Sequence, residues 1–328
     1  MIERLDPKDF GELTRLEKFS GNPLLPLPDL PRERSAGYWQ AEIEETISDE
    51  SATGWVAKNG DGIEAFAIYT DAPWDSKVIG VKVGFVRHLA VREGGRGKEI
   101  VGALLSELSD FALRHGTKCL TGKVRALDSS MTHALEENGF LLMDTFLNFL
   151  CDFSRTTSEG SDGWRQSGGL TIRRAEPKDE PEVLAVSEKA FTGFFGRYHA
   201  DPRMPAGAAA NVYREWILSA FHGWADWILV AEIDRRIAGY GIWKKPSRCE
   251  VSQAIDLAHY SLAGVHPDFA GRGIYSALAR DGMKIARAEA RFVDGPVHVS
   301  NFPVHRALHR LGWKIADAKH SFHKWLVV

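Results

Sequence analysis

The stretch "VHPDFAGRGIYSALAR", Val265 to Arg280, decides how the chain is read. An apolar run leads into it and a helical pattern follows. Gly271-Arg272-Gly273 sit at the join, where glycine is costly for a helix. A similar stretch, "VREGGRGKEIVGALLSE", runs from Val91 to Glu107. Laying Val91 on Val265 aligns the two turns with no gap. Arg96-Gly97-Lys98-Glu99-Ile100-Val101 then falls on Ala270-Gly271-Arg272-Gly273-Ile274-Tyr275. A strand feeding a glycine-rich turn and a helix start offers free N–H donors and the positive end of the helix dipole, a site for a phosphate or diphosphate. Glycine lets a ligand approach with no Cβ in the way. Taken alone, Gly-x-Gly at a helix start reads equally as a tight strand-to-helix turn.

Working outward, the order of elements repeats. After Ser154–Gly169, "SRTTSEGSDGWRQSGG", which is rich in Ser, Thr and Gly and reads as a linker, "LTIRRAE" alternates like a strand and "DEPEVLAVSEKAF" is helical, with Asp179 as N-cap. "NVYREWILSAF" is a helix. "WILVAEID" and "IAGYGIWK" form a hairpin around Arg235-Arg236, and "LAHYSLAGV" is a strand. The turn, its helix, the strand "GPVHVS", the helix "NFPVHRALHRLG" and the strand "KHSFHKWLV" follow. The first half matches from "GWVAKNGDGIEAFAIYT" to "MDTFLNFLCDF". The expectation is an α+β protein of two tandem domains, 1–153 and 170–328, joined by a 154–169 linker, each with a mixed, mostly antiparallel sheet flanked by helices.

The 328 residues are enough for two domains, and 44% hydrophobic with 26% charged residues is a globular composition. A formal net charge of -3 gives no general attraction to nucleic acid or acidic membranes. Cys119, Cys151 and Cys249 are scattered and odd in number, with no metal spacing and no disulfide framework, which fits a reducing cytoplasm. The charged start "MIERLDPKDFGEL" is not a secretory signal, and no apolar run is long enough to span a membrane. The turn is not a Rossmann fingerprint, because no βαβ crossover with a downstream acid is visible, and it is not a P-loop, because no Gly-Lys-Ser/Thr follows.

Both halves resemble domains of the GNAT superfamily of N-acetyltransferases. The resemblance lies in "V-x-P-x-x-x-G-R-G-I-x-x-A-L" (Val265 to Leu278) and "S-N-x-x-x-x-x-x-L-x-x-L-G-W" (Ser300 to Trp313). It implies that acetyl-CoA or another short acyl-CoA is the co-substrate. It also implies that Val265, Ala270, Gly271, Arg272, Gly273, Ile274 and Tyr275 hold the diphosphate side, and that Asn301 supports the cofactor; in the first half Asp128 takes that place. Ala270 replaces the usual Arg or Gln, and Tyr275 a small residue. In the first half Glu99 stands where the second glycine should be. A carboxylate beside a diphosphate is unfavourable by about 1–4 kcal/mol. The second half is therefore expected to bind acyl-CoA and the first to be degenerate, helping to build the acceptor site. The alternative is that both bind, the first through a shifted frame at Gly94 to Gly97.

"FGRYHADPRMPAGAAANVYREWI" (Phe195 to Ile217) and "APWDSKVIGVKVGFV" (Ala72 to Val86) resemble the dTDP-fucosamine N-acetyltransferase type, which acylates nucleotide-linked amino sugars. Arg197, His199 and Asp201 place a cation, a titratable ring and a carboxylate in one loop able to grip a hydroxyl or phosphate. Equally, Asp201-Pro202 starts a turn and Arg197 pairs with Asp201. Trp74 packs in an interface or stacks on a ligand.

Acyl transfer to an amine needs a base and a donor for the oxyanion. The family often carries the base on the strand before the turn. Strict alternation there puts Asp256, Ala258, Tyr260, Leu262 and Gly264 on one face and Leu257, His259, Ser261 and Ala263 on the other. His259 is the first candidate base and Asp256 the second. The family's usual tyrosine acid falls at Leu308; His305, His309 and Tyr260 lie near. The histidines toward the C-terminus carry no metal-site context. The function expected is acyl-CoA-dependent N-acylation of a small polar amine, a nucleotide-linked amino sugar first. The alternatives are another amine (an antibiotic, an amino acid or a polyamine) or a non-catalytic acyl-CoA sensor. The protein is expected to be a monomer or homodimer.

Overall fold

The computed structural model describes residues 1–6, 9–13, 19–60, 62–92, 97–156 and 169–326. Twelve strands form one sheet: β1 Ile2–Arg4, β2 Thr53–Asn59, β3 Gly62–Asp71, β4 Val83–Val91, β5 Cys119–Arg125 and β6 Leu141–Asp152, then β7 Thr171–Arg174, β8 Trp227–Ile233, β9 Arg236–Lys244, β10 Leu257–Val265, β11 Phe292–His298 and β12 Lys314–Trp325. Their spatial order is β1-β2-β3-β4-β5-β12-β6-β11-β10-β9-β8-β7. Only β4–β5 and β10–β11 run parallel; every other pair is antiparallel. This is the α+β architecture with a mostly antiparallel sheet that the repeat predicts.

The order contains an exchange that the repeat does not predict. β6, from the first half, pairs with β11 from Phe292↔Asp152 to His298↔Phe146. β12, from the second half, pairs with β5 from Lys319↔Arg125 to Trp325↔Cys119. The two exchanged strands also pair with each other. The stretch 154–169 therefore separates the repeats along the chain but not two closed sheets, and its residues 157–168 lie outside those described. Polar pairs stitch the exchange: Arg125 to Asp317 at 3.1 Å, and Thr145 Oγ1 to His320 Nδ1 at 2.9 Å.

Each half packs a long helix across its sheet. Gly97–Arg114 buries Leu104, Leu105 and Leu108, and Ile274–Glu289 buries Leu278, Ala279 and Ala286. Both are recognisable from their 3.6-residue apolar period. Under the second helix, Trp243 stacks on Tyr260 with ring centres 4.1 Å apart. A Cβ on Gly282 would fall 2.0 Å from the Trp243 ring, so this glycine lets helix and sheet approach. The β8–β9 hairpin turns on Asp234-Arg235, one residue earlier than the sequence suggests, with both residues at positive φ (49° and 63°). That is the type I′ geometry matching strand twist. No helix among the described residues is long and apolar enough to cross a membrane.

Candidate active site

The site starts from a ladder that stops. β10 pairs with β9 along its length, from His259↔Lys244 to Val265↔Gly239. Against β11 it pairs only from Leu257↔Phe292 to His259↔Asp294. Beyond that rung the strands part and leave backbone donors and acceptors of β10 facing a gap. The register with β9 slips between Tyr260 and Leu262, so Ser261 is bulged. The bulge overturns the strict alternation expected on this strand. Ala258, Tyr260, Ala263 and Val265 pack on the face of the Ile274–Glu289 helix, while Leu262 packs on the opposite side. The first half has the same device: a slip at Arg87 on β4 and a β4–β5 ladder ending at Val86↔Gly122.

Val265, Ala270, Gly271, Arg272, Gly273, Ile274, Tyr275 and Asn301 line one hollow of about 550 Å³. Gly271 and Gly273 adopt φ of 75° and 74°, a region costly for residues with a Cβ. Gly273 starts the helix without any side-chain cap, so the first-turn N–H groups are left for another acceptor. A Cβ on Gly271 would meet nothing within 4 Å, so that glycine marks the conformation and an open approach. Arg306 and Arg310, exposed on the Phe302–Arg310 helix, line the same hollow and add positive charge. Asn301 is the N-cap of that helix, its Oδ1 accepting from Val304 N at 3.4 Å. Free helix-terminal donors, two arginines and an adjoining strand split fit a thioester carrier with an anionic head and an extended arm.

This hollow continues. A narrower space of about 140 Å³ fills the split and shares Phe191, Phe194, Ala263, Tyr275, Asn301 and Val304 with it. Ser261, Tyr260 and His298 also face this space. Through Phe146, Tyr213, Trp216 and Pro296 it meets a third space of about 600 Å³. That cleft lies between the halves: Trp74, Asp75, Lys123, Asp144 and Asn148 come from the first, Arg197, Tyr198, Trp224, Lys319 and Ser321 from the second. Trp74 is partly exposed, with Nε1 3.4 Å from Ser219 Oγ, so it both bridges the halves and walls the cleft.

Neither expected base faces these spaces. His259 holds Asp294 Oδ1 at 2.7 Å through Nδ1 and Glu250 Oε2 at 3.1 Å through Nε2. Burial opposes its charge, but the two carboxylates outweigh it and raise its pKa to about 10. An imidazolium with both nitrogens engaged is a poor proton acceptor, so His259 is a structural ion pair at the closed end of the split. Asp256 is exposed just before β10 and lines none of the three hollows. Leu308 is fully buried in the core, as its chemistry demands.

The Arg-His-Asp loop also divides. Arg197 lines the cleft, its guanidinium on Tyr198 Oη and 3.8 Å from Asp75 Oδ1, and its backbone N–H donates to Asp144 Oδ2 at 2.7 Å. His199 is exposed on the far side, in a depression between the helices Glu180–Ala190 and Ala208–Ser219. Asp201 is buried and accepts from Trp325 Nε1 at 2.7 Å and Arg203 N at 3.0 Å, with His323 Nδ1 also at 3.0 Å. It ties this loop to β12 rather than to a ligand. In the first half, Glu99 is exposed in the first turn of Gly97–Arg114; the shifted Gly94 to Gly97 frame lies outside the described residues except for Gly97.

Residue types alone did not mark Lys123, Asp144, His298 or Lys319. His298 is nearly buried, its ring against Phe146 and Phe194, and its Nδ1 is 2.7 Å from Ser300 Oγ. Its place in "HVSN", just before Asn301, was the available signal.

The profile of the acetyltransferase (GNAT) family matches twice, at residues 22–140 and 190–313. The spore coat polysaccharide biosynthesis protein SpsD of Bacillus subtilis is 22% identical over 266 residues, 80% of this chain and 84% of SpsD. A GCN5-related N-acetyltransferase from Sphaerobacter thermophilus superposes with a TM-score of 0.63 at 16% identity, over 99% of this chain and 95% of that one. A tandem GNAT protein from the clavulanic acid biosynthesis pathway gives 0.59 at 15% identity, over 99% and 98%. At such identities the structural likeness speaks for the fold. The paired profile matches, one in each half and together spanning well over half the residues, establish that this chain belongs to the acetyltransferase (GNAT) family, N-acetyltransferases that use acetyl-CoA as co-substrate.

Proposed function

We propose that the protein transfers an acetyl group from acetyl-CoA, held at Gly271–Gly273 of the second half, to a small polar amine seated in the cleft between the halves. The observation that carries this is continuity: the hollow at the glycine turn opens through the β10–β11 split into a cleft walled by both repeats. Acetyl-CoA supplies the acetyl thioester. The chain's residues do the rest. The uncapped start of Ile274–Glu289, with Arg306 and Arg310, faces the anionic end. The unpaired N–H groups of β10 beyond His259 supply a donor for a developing oxyanion. Ser300 N donates to His298 Nδ1 at 3.3 Å, so the neutral ring carries its proton on Nε2 and is suited to serve the split as a hydrogen-bond donor to the reacting centre.

The acceptor class that this wall favours is an amino sugar carried on a nucleotide. Phe146, Tyr213, Trp216 and Trp224 offer flat apolar faces for a ring, and Asp144 and Ser321 offer buried acceptors for hydroxyls. Similarity to a polysaccharide biosynthesis protein agrees with that class. The test is thiol release from acetyl-CoA with a panel of nucleotide-linked amino sugars, free amino sugars, aminoglycosides, amino acids and polyamines. Turnover with one class assigns it. Tight acetyl-CoA binding with no turnover across all five removes the proposal.

A further inference from the structure

The split in the first half is not simply a lost copy of the one in the second. Between β4 and β5, past Val86↔Gly122, lies a hollow of about 290 Å³. It abuts the inter-half cleft, and Lys123, Arg197 and Lys319 line both spaces. No carboxylate among the described residues lines both.

The neighbouring acids are engaged except for one oxygen: Asp144 Oδ2 accepts from Arg197 N at 2.7 Å while its Oδ1 has no partner, and Asp75 lies 3.8 Å from the Arg197 guanidinium. Asp75 accepts from Tyr198 Oη at 3.1 Å, and Glu42 receives Tyr38 Oη at 3.2 Å and Arg87 at 3.4 Å. Asp128 caps its helix through Met131 N at 2.9 Å. Lys319 Nζ donates to Pro23 O at 2.9 Å, a neutral partner, and Asp317, Asp294 and Glu42 act on its charge without a direct ion pair. Lys123 makes no hydrogen bond or ion pair with another described residue. Its side chain is open to the cleft yet enclosed by protein on a wider radius. That enclosure, with the Arg197 and Lys319 charges, outweighs the opposing pull of Asp144 and Asp75 and lowers its pKa to about 8. A cation in such a place is destabilised unless an anion joins it.

We infer that this junction is an anion subsite, in which Lys123, Arg197 and Lys319 hold a phosphate or diphosphate group carried by the amine acceptor. Three cations converge on two carboxylates, Asp75 and Asp144, which leaves positive charge at the junction, and arginine with two lysines suits phosphate oxygens. Asp144 Oδ1 and Ser321 Oγ, both buried without a partner, face the same cleft and suit the donors of the acceptor's uncharged part. The strand split of the first repeat thus hosts a phosphate clamp, built from its own Lys123 and from Arg197 and Lys319 of the second half, where the second repeat's split admits the acyl carrier. The inference rests on the reading above only in seating the amine acceptor in this cleft.

The test is calorimetric titration of the full-length protein, first saturated with CoA so that the Gly271–Gly273 turn is blocked. Inorganic pyrophosphate, a sugar 1-phosphate and a nucleoside diphosphate are the probes. Binding to the wild type is expected, weakened about tenfold to a hundredfold by Lys123→Met and far less by Lys123→Arg. Lys319→Met, a second variant at another strand, should weaken it in the same sense, with CoA affinity unchanged in all three. Preference for the nucleoside diphosphate would assign the anion to a nucleotide; equal affinity for pyrophosphate would assign it to the phosphate group alone. Absence of anion binding in the wild type, or equal binding in Lys123→Met, overturns the inference. Failure of CoA itself to bind would instead count against the acetyl-transfer reading, while the Lys123 comparison could still be made without it.

Discussion

His259 Nδ1 and Asp294 Oδ1 lie 2.7 Å apart at the last rung shared by β10 and β11. The pair closes the ladder just where the strands begin to part. Glu250 holds the other ring nitrogen, so the imidazole is clamped rather than presented.

This predicts a pH signature for His259. Its folded pKa, about 10, lies above the unfolded value near 6.5. The stabilisation is therefore fully present below about pH 6.5 and is lost as pH rises through the folded value. His259→Gln should destabilise most near pH 6, and the deficit should shrink toward pH 10. Urea denaturation across that range measures it. A deficit that does not change with pH would contradict the ion pair, and a kcat loss of about a hundredfold in the folded variant would restore His259 as a base.

The two repeats should respond differently to the same charge. Gly273→Glu puts a Cβ at φ 74° and a carboxylate at the helix start, and should weaken acetyl-CoA binding by about a hundredfold or more. Gly97→Glu, whose added Cβ would sit at an ordinary 3.4 Å from Val91, should leave it unchanged. Calorimetry on both variants decides which half holds the carrier.

His298→Ala, which removes the donor, should lower kcat by about 10²–10³-fold while KM for acetyl-CoA stays within a few-fold. Steady-state kinetics under saturating amine give the answer. A kcat close to wild type would remove His298 from the chemistry.

Asp201→Asn tests a fold role against a ligand role. Burial alone would raise this carboxyl's pKa, but hydrogen bonds from Trp325, Arg203 and His323 hold it below its usual value. A depressed carboxyl contributes stability above its unfolded pKa near 4, which is lost as pH falls through the folded value. The substitution should cost about 1–3 kcal/mol at neutral pH, read by urea denaturation, with KM for the amine little changed.

What the sequence discloses is local. The Gly271-Arg272-Gly273 turn stands out through the strand and helix patterns on either side of it, and the long helices stand out by their period. Partners distant in the chain do not show. Asp294 lies 35 residues from His259, so a free ring and a clamped one look the same in sequence. Arg197 and His199 lie on a single helical turn and Asp201 follows it with extended backbone, which spreads the three in different directions rather than into a cluster. Lys123, one lysine on a strand, looks like any surface charge until the cleft around it is seen. The exchange of β6 and β12 is hidden because the two strands are equivalent in the repeat, and either would satisfy either edge.

That exchange bears on how the molecule comes into being. β12 follows every other strand of the sheet in chain order, yet it covers β5, which belongs to the portion synthesised first. Until Lys314–Trp325 emerges, the nascent amino-terminal repeat carries a bare hydrogen-bonding edge, open to pairing with β6 or with another chain. Maturation of the whole enzyme is thus coupled to completion of its carboxy-terminal repeat, and severing the polypeptide between the repeats would orphan both.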